Sequence, residues 1–141
     1  MSQKSQPQPR SRDLDQSQNQ SQNLDPEPTP TPTTAETILS PLATALSNAV
    51  PNSFHYWHPA GTVAPYLVWK EDGDSNLWAG NGAAELAITG TVDYFTNIEY
   101  DPALDLITAA LESVGASWYL NSVQFEDQTN LIHHEWVFEV V

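Results

Sequence analysis

Every aromatic residue of this 141-residue chain, 5 Trp, 5 Tyr and 4 Phe, lies beyond position 53, and the stretch from Met1 to Thr33 has none. That opening stretch also lacks Ile and Val, holds 6 of the 11 prolines, and is otherwise mostly Gln, Ser, Asn and Thr. Such a segment cannot bury enough apolar surface to offset the entropy of ordering it. The sequence therefore predicts a disordered extension over 1–33 and one folded domain over 34–141. Within the extension, Asp25-Pro-Glu-Pro-Thr-Pro-Thr-Pro-Thr-Thr34 alternates proline with polar residues and is expected to form an extended, polyproline-like spacer. The stretch 34–141 is of ordinary size for a domain with one core.

Charge narrows the function classes. The domain carries a single cation, Lys70, against fourteen carboxylates, a formal charge of −13 within a chain total of −14. It has no electrostatic footprint for gripping phosphates, which argues against nucleic-acid binding. With no cysteine in the chain, a disulfide scaffold, a Cys-based zinc site and a thiol nucleophile are excluded. No apolar run approaches the roughly 18 residues that span a bilayer. The polar start, Met1-Ser-Gln-Lys-Ser-Gln-Pro-Gln-Pro-Arg10, lacks the hydrophobic stretch of a secretory signal, so the chain is expected to be soluble and to stay in the cytoplasm where it is made.

The periodicities give an element order. Thr33 and Glu36 have capping-box spacing, and Ile38, Leu39, Leu42, Leu46 and Val50 recur at helical intervals, which predicts a helix over about 35–48. Pro41 either kinks that helix or marks its regular start, with Ser40 as the cap. Residues 53–58 and 65–71 are β-favouring and aromatic, with a turn around Pro59 and Gly61 between them, and a hairpin is the simplest connection. Residues 71–76 then form a polar loop and 80–82 a second break, with a short segment around Trp78 between them.

From Glu85 to Asn97 alternation is sustained, Leu86, Ile88, Val92 and Tyr94 on one face, and Gly90 signals a bulge or a close approach. Asp101-Pro102 opens a second helix, with Leu104, Ile107, Leu111 and Val114 on its apolar stripe and Gly115 as its stop. Residues 117–126 and 131–141 make a final hairpin, Ile132, His134, Trp136, Phe138 and Val140 on one face, His133, Glu135 and Glu139 on the other. The fold class expected is α+β: a two-layer sandwich, mainly antiparallel sheet with two helices packed against it.

Candidate chemistry is sparse. His133, His134 and Glu135, with His55 and His58, could interest a metal, but adjacent strand residues point to opposite faces, so His133 packs toward solvent and His134 toward the core. Asp72, Asp74 and Asn76 open like a calcium loop, yet Leu77 stands where that loop needs Gly and Ala83 where it needs Glu. Carboxylate pairs are unavoidable in so acidic a chain, and there is no phosphate loop or nucleophile elbow. The expectation is a non-enzyme with no catalytic residue, cofactor or metal. The candidate partner-binding residues are Glu71, Asp72 and Asp74 of the acidic loop, with Trp78 and Asn81 beyond it, Trp78 being either core or an interface anchor.

Taken together, Pro65-Tyr-Leu-Val-Trp69, the strand from Thr89 to Thr96, the helix from Asp101-Pro102 to Gly115 and the closing segment from Leu131 to Glu139 resemble the small tail-terminator, or tail-completion, proteins of long-tailed bacteriophages and prophages. The resemblance covers most of 35–141 and none of the extension. It implies a sheet flanked by helices that assembles as a hexameric ring on the last ring of the tail tube. The ring ends tube polymerisation and presents a docking surface to the head connector, at the head-proximal end of the virion tail, after assembly in the host cytoplasm.

The implied partners are other copies of the chain, the tail-tube protein and the head-tail connector, with no membrane and no specific nucleic-acid binding, although DNA passes through the ring. Carboxylates facing such a lumen would repel phosphates, and Glu71, Asp72 and Asp74 are candidates for its rim. With one cation per domain, intersubunit contacts must be apolar, backbone-mediated or hydrogen-bonded rather than ionic. Two other functional classes fit the composition: a monomeric acidic module, such as an inhibitor or DNA mimic, and an enzyme or metal protein using His55, His58 and His133. A related head-completion or neck protein is the nearest structural alternative.

Overall fold

Helix α1, Ala35–Ala49, begins where Thr34 takes an extended conformation and its hydroxyl accepts the Thr37 N–H at 3.2 Å. The cap is therefore Thr34 and not the Thr33 of the capping-box pattern. The helix runs through Pro41, whose missing N–H leaves one intrahelical bond unmade without ending the helix. Leu39, Leu42 and Leu46 are its buried stripe. The computed structural model describes residues 34–74, 77–79 and 82–141, with the strands inside 77–85 as backbone only. The expected extension over 1–33 lies outside the described residues.

Strands β1 (Ser53–His55), β2 (Tyr66–Asp74), β3 (Leu77–Ala79), β4 (Gly82–Glu85) and β5 (Ile88–Thr96) precede helix α2 (Ala103–Ser113), and β6 (Ser117–Glu126) and β7 (Leu131–Val140) follow it. Five of them form one mixed sheet in the order β1-β2-β5-β7-β6, and β3 and β4 form a separate antiparallel pair. Both helices contribute buried side chains to the core over this sheet, as the α+β pattern requires.

Two expectations are corrected. β1 and β2 do not form a hairpin: they pair in parallel, Ser53 opposite Leu67 and His55 opposite Trp69. Tyr56 adopts φ 74° and ends β1, and the chain then loops back over residues 56–65 to start β2 beside the start of β1. Because β1 is only three residues long, roughly 10 Å, this connection can span the return without a crossover helix. The Leu67 N–H donates to the Asn52 carbonyl at 2.9 Å, and the Asn52 side chain donates to the Val63 carbonyl at 3.2 Å, fixing the loop.

The second correction concerns residues 71–74, which are the end of β2 and not a loop. The β2–β5 register shifts between Glu71 and Gly73, so Asp72 is an extra, bulged residue. Gly90 sits opposite that irregularity. A Cβ there would meet the Phe138 ring at 2.6 Å and Glu71 Cα at 2.9 Å, a close approach that only glycine allows.

Helix α2 ends in a Schellman turn: Gly115, at φ 77°, donates to the Glu112 carbonyl at 3.0 Å, and Ala116 donates to the Leu111 carbonyl at 3.0 Å. Its Ile107, Ala110 and Leu111 join Leu42 and Leu46 of α1, Leu67 and Trp69 of β2, Val92 and Tyr94 of β5, and Trp136 and Phe138 of β7 in one core. Each large side chain fully buried there contributes about 1.5–3 kcal/mol.

Candidate interaction surfaces

The best-built polar cluster in the domain is structural and sets the position of everything around it. Asp101, 7% exposed, accepts at Oδ2 from the Tyr94 hydroxyl and the Thr96 hydroxyl, each at 2.7 Å, and at Oδ1 from the Ala103 N–H at 2.8 Å. One carboxylate thus ties the end of β5 to the first turn of α2. Burial alone would raise its pKa, but the hydrogen bonds from Ala103, Thr96 and Tyr94 outweigh that and hold it below the ordinary carboxylate value. Burial first, and then this carboxylate, pushes the Tyr94 hydroxyl far up.

The residues between these anchors form the lip of a groove. Tyr100, at φ 56° and 90% exposed, stands beside Glu99 on that lip. The groove holds about 550 Å³ between Leu104 of α2, the side chains of β6, and Ile132, His134 and Trp136 of β7. Its wall on β6 contains one irregularity. The β6–β7 register shifts between Leu120 and Ser122, leaving Asn121 as a bulge that donates to Glu135 Oε1 at 2.6 Å.

Across that bulge the alternation changes parity, so Trp118, Leu120, Val123 and Phe125 lie opposite Phe138, Trp136, His134 and Ile132 and share their face. Only the Trp118 end of this row packs against the core. Leu120, Val123 and Phe125 are 49%, 51% and 59% exposed. His134, on the groove floor, is kept below the ordinary His value first by burial and then by neighbouring His133, against the pull of Asp101. The floor is therefore uncharged at neutral pH, and the groove is apolar with carboxylates only on its rim, at Glu99 and Asp105.

At the other edge of the sheet, the loop after β1 exposes Tyr56, Trp57 and Val63. Its base is rigid: the His55 ring stacks between Tyr56, at 4.0 Å, and Trp69, at 3.9 Å, and His55 Nε2 lies 2.7 Å from Glu71 Oε1. Burial of Glu71 works against its ionisation, yet the bonds from His55 and Tyr56 keep its pKa low.

The candidate partner residues are accordingly dispersed. Glu71 turns to the helix face and is engaged by His55; Asp72 accepts from the Thr89 hydroxyl at 3.2 Å; Asp74 is exposed at the end of β2. The Trp78 side chain and Asn81 lie outside the described residues. Sequence reasoning misses the groove, because each of its walls reads as an ordinary core face.

The helix-free face of the sheet carries a row of rings, His58, Tyr66, Phe95 and His133, with successive centroids 4.5, 4.8 and 4.3 Å apart. His133 Nε2 lies 2.7 Å from Asp93 Oδ1 and its Nδ1 lies 3.5 Å from Glu126 Oε2. The Asp93 bond raises the His133 pKa, burial opposes it, and Glu126 and Glu135 add to the rise. His133 and His134 face opposite sides of the sheet, as strand alternation requires, and so do not converge on one ion.

No family model and no curated protein matches the chain. Among solved structures, the chain is similar to one in the virion of a native gene transfer agent particle, with a TM-score of 0.50 and 13% identity over 75% of this chain and 92% of that one. At that identity the likeness is one of fold.

Proposed function

We propose that the protein is a structural subunit of a phage-like virion, and that it works at the head-proximal end of the tail. There a hexameric ring of it caps the tail tube, ends its polymerisation and offers the surface on which the head connector docks. The observation that carries this reading is the fold likeness to a virion chain, which spans 92% of that chain and so concerns a whole domain and not a fragment.

The surfaces agree with a subunit that works by contact. The domain leaves apolar side chains exposed at both edges of its sheet, and its clustered polar groups are spent on internal bonds, Asp101 to Tyr94 and Thr96, Glu71 to His55. Its charge of −13 suits a ring through which DNA passes without being held. No catalytic step is part of the reading.

The test is electron microscopy of tubes assembled from the tail-tube subunit of the same particle, with and without the full chain. Shorter tubes with a ring of density on one end are expected. An unchanged length distribution with bare ends would overturn the reading. Density on the head connector alone, with bare tube ends, would replace it with a head-completion role.

A further inference from the structure

The two exposed apolar surfaces lie at opposite edges of one five-stranded sheet, the loop of residues 56–63 beside β1 and the groove beside β6. Four strand spacings, about 19 Å, separate those edges. We propose that these two surfaces are the two halves of one interface: the loop of one copy seats Trp57 in the α2/β6 groove of the next. The inference rests on the reading of the chain as a ring-forming subunit and names the surfaces that would join its copies.

Charge identifies the occupant. The stretch from Thr37 to Trp69 contains no Asp, Glu, Lys or Arg, while the rest of the domain holds all fourteen of its carboxylates. Two copies repel wherever those carboxylates meet. The groove is rimmed by Glu99 and Asp105, and a groove docked against a second groove would set the two rims against each other. The loop of residues 56–63 approaches the same rim with no carboxylate among its own residues. Of the apolar surfaces described, it is the one that contributes no carboxylate of its own, and the nearest, Glu71 at its base, is engaged by His55 and Tyr56.

Shape and chemistry fit the same pairing. Trp57 is 68% exposed, the sort of unspent aromatic that acts as an interface anchor when a pocket receives it. The groove's 550 Å³ lies inside the range of about 300–1,000 Å³ typical of sites that enclose a bulky apolar group. Its walls at Leu120 and Val123 are half exposed and its floor is the uncharged His134 and Trp136. Because the halves are unlike, the contact is head-to-tail, the kind of interface that closes into rings.

The experiment uses the full chain with Trp57→Asp and, separately, Val123→Asp, both at exposed positions, followed by light scattering across concentration at roughly 1 M salt, where the screening length falls to about 3 Å. Wild-type protein is expected to associate, and each variant alone to remain monomeric with an unchanged circular dichroism spectrum and melting temperature. An equimolar mixture of the two variants is expected to give a species of twice the monomer mass, since one supplies an intact groove and the other an intact loop. Variants that associate like wild type, or a mixture of folded variants that stays monomeric, would overturn the pairing and leave tube capping to the microscopy. A wild-type protein that is monomeric throughout would overturn a second copy as the occupant.

Discussion

Strands β5 and β6 send apolar side chains to the same face of one sheet, and the helices cover only the first. On β5, Ile88, Val92 and Tyr94 are buried beneath α1 and α2. On β6, the row after Trp118 is about half exposed. The local chemistry of the two strands is alike, so what separates them is position: β5 is the central strand, and β6 is an edge that α2 meets only at its Trp118 end. An apolar row on a strand fixes which face it prefers, and the neighbouring layer decides whether that face becomes core or contact surface.

The sharpest way to break this contrast is to truncate one aromatic on each side of it. Phe138→Ala, which empties a fully buried site packed over Gly90, is expected to cost about 3–5 kcal/mol in denaturant unfolding. The second test removes the tie that holds α2 over β5. Asp101→Ala orphans the Tyr94 and Thr96 hydroxyls and is expected to cost about 1.5–3 kcal/mol.

The same carboxylate predicts a pH dependence. Its folded pKa is lowered, so its contribution is present above the unfolded value of 3.8 and is lost as the pH falls through the folded value. Asp101→Asn should flatten that acid limb in a series of thermal melts.

On the helix-free face the sign reverses. The His133 pKa is raised by Asp93, so its contribution is full below the ordinary value of 6.5 and is lost as the pH rises through the folded value. His133→Gln is expected to remove that alkaline decline at a cost under about 1 kcal/mol. Smallest of all is Phe125→Ser on the open part of β6, within about 0.5 kcal/mol of wild type. A loss there as large as that of Phe138→Ala would mean that β6 belongs to the core and the contrast is false.

Much of the fold is legible in the residues because its signals are local. Asp101-Pro102 and Gly115 bracket α2, the alternation of Ile88 to Thr96 gives β5 its buried face, and Asp127 to Asn130 turns β6 into β7. What escapes is whatever depends on a partner far away in sequence. Pro59 and Gly61 read as a hairpin turn, yet the orientation of β1 is set by the Asn52 carbonyl receiving Leu67. Asp101 reads as a helix cap, and only the fold shows that Tyr94 and Thr96 also bind it.

The candidate site is the least legible part. Glu71, Asp72 and Asp74 read as a free acidic loop, but the pairing of β2 with β5 extends through them, and two of the three have internal partners. The groove is invisible in the sequence because Leu104, Val123 and Trp136 come from three elements, and no pattern within one element records that their junction is left open among the described residues.

The bulge at Asn121 has a genetic meaning as well as a geometric one. It is a single residue out of step, and the strand on either side of it pairs with β7 as a strand without it would. Loss of that one codon, with the register otherwise kept, would leave a regular strand in which Val123 still lies opposite His134 and Phe125 opposite Ile132, so both side chains stay on the groove side. A lineage carrying this fold can therefore lose or regain that residue in a single in-frame step and keep its greasy wall, forfeiting the bond from Asn121 to Glu135.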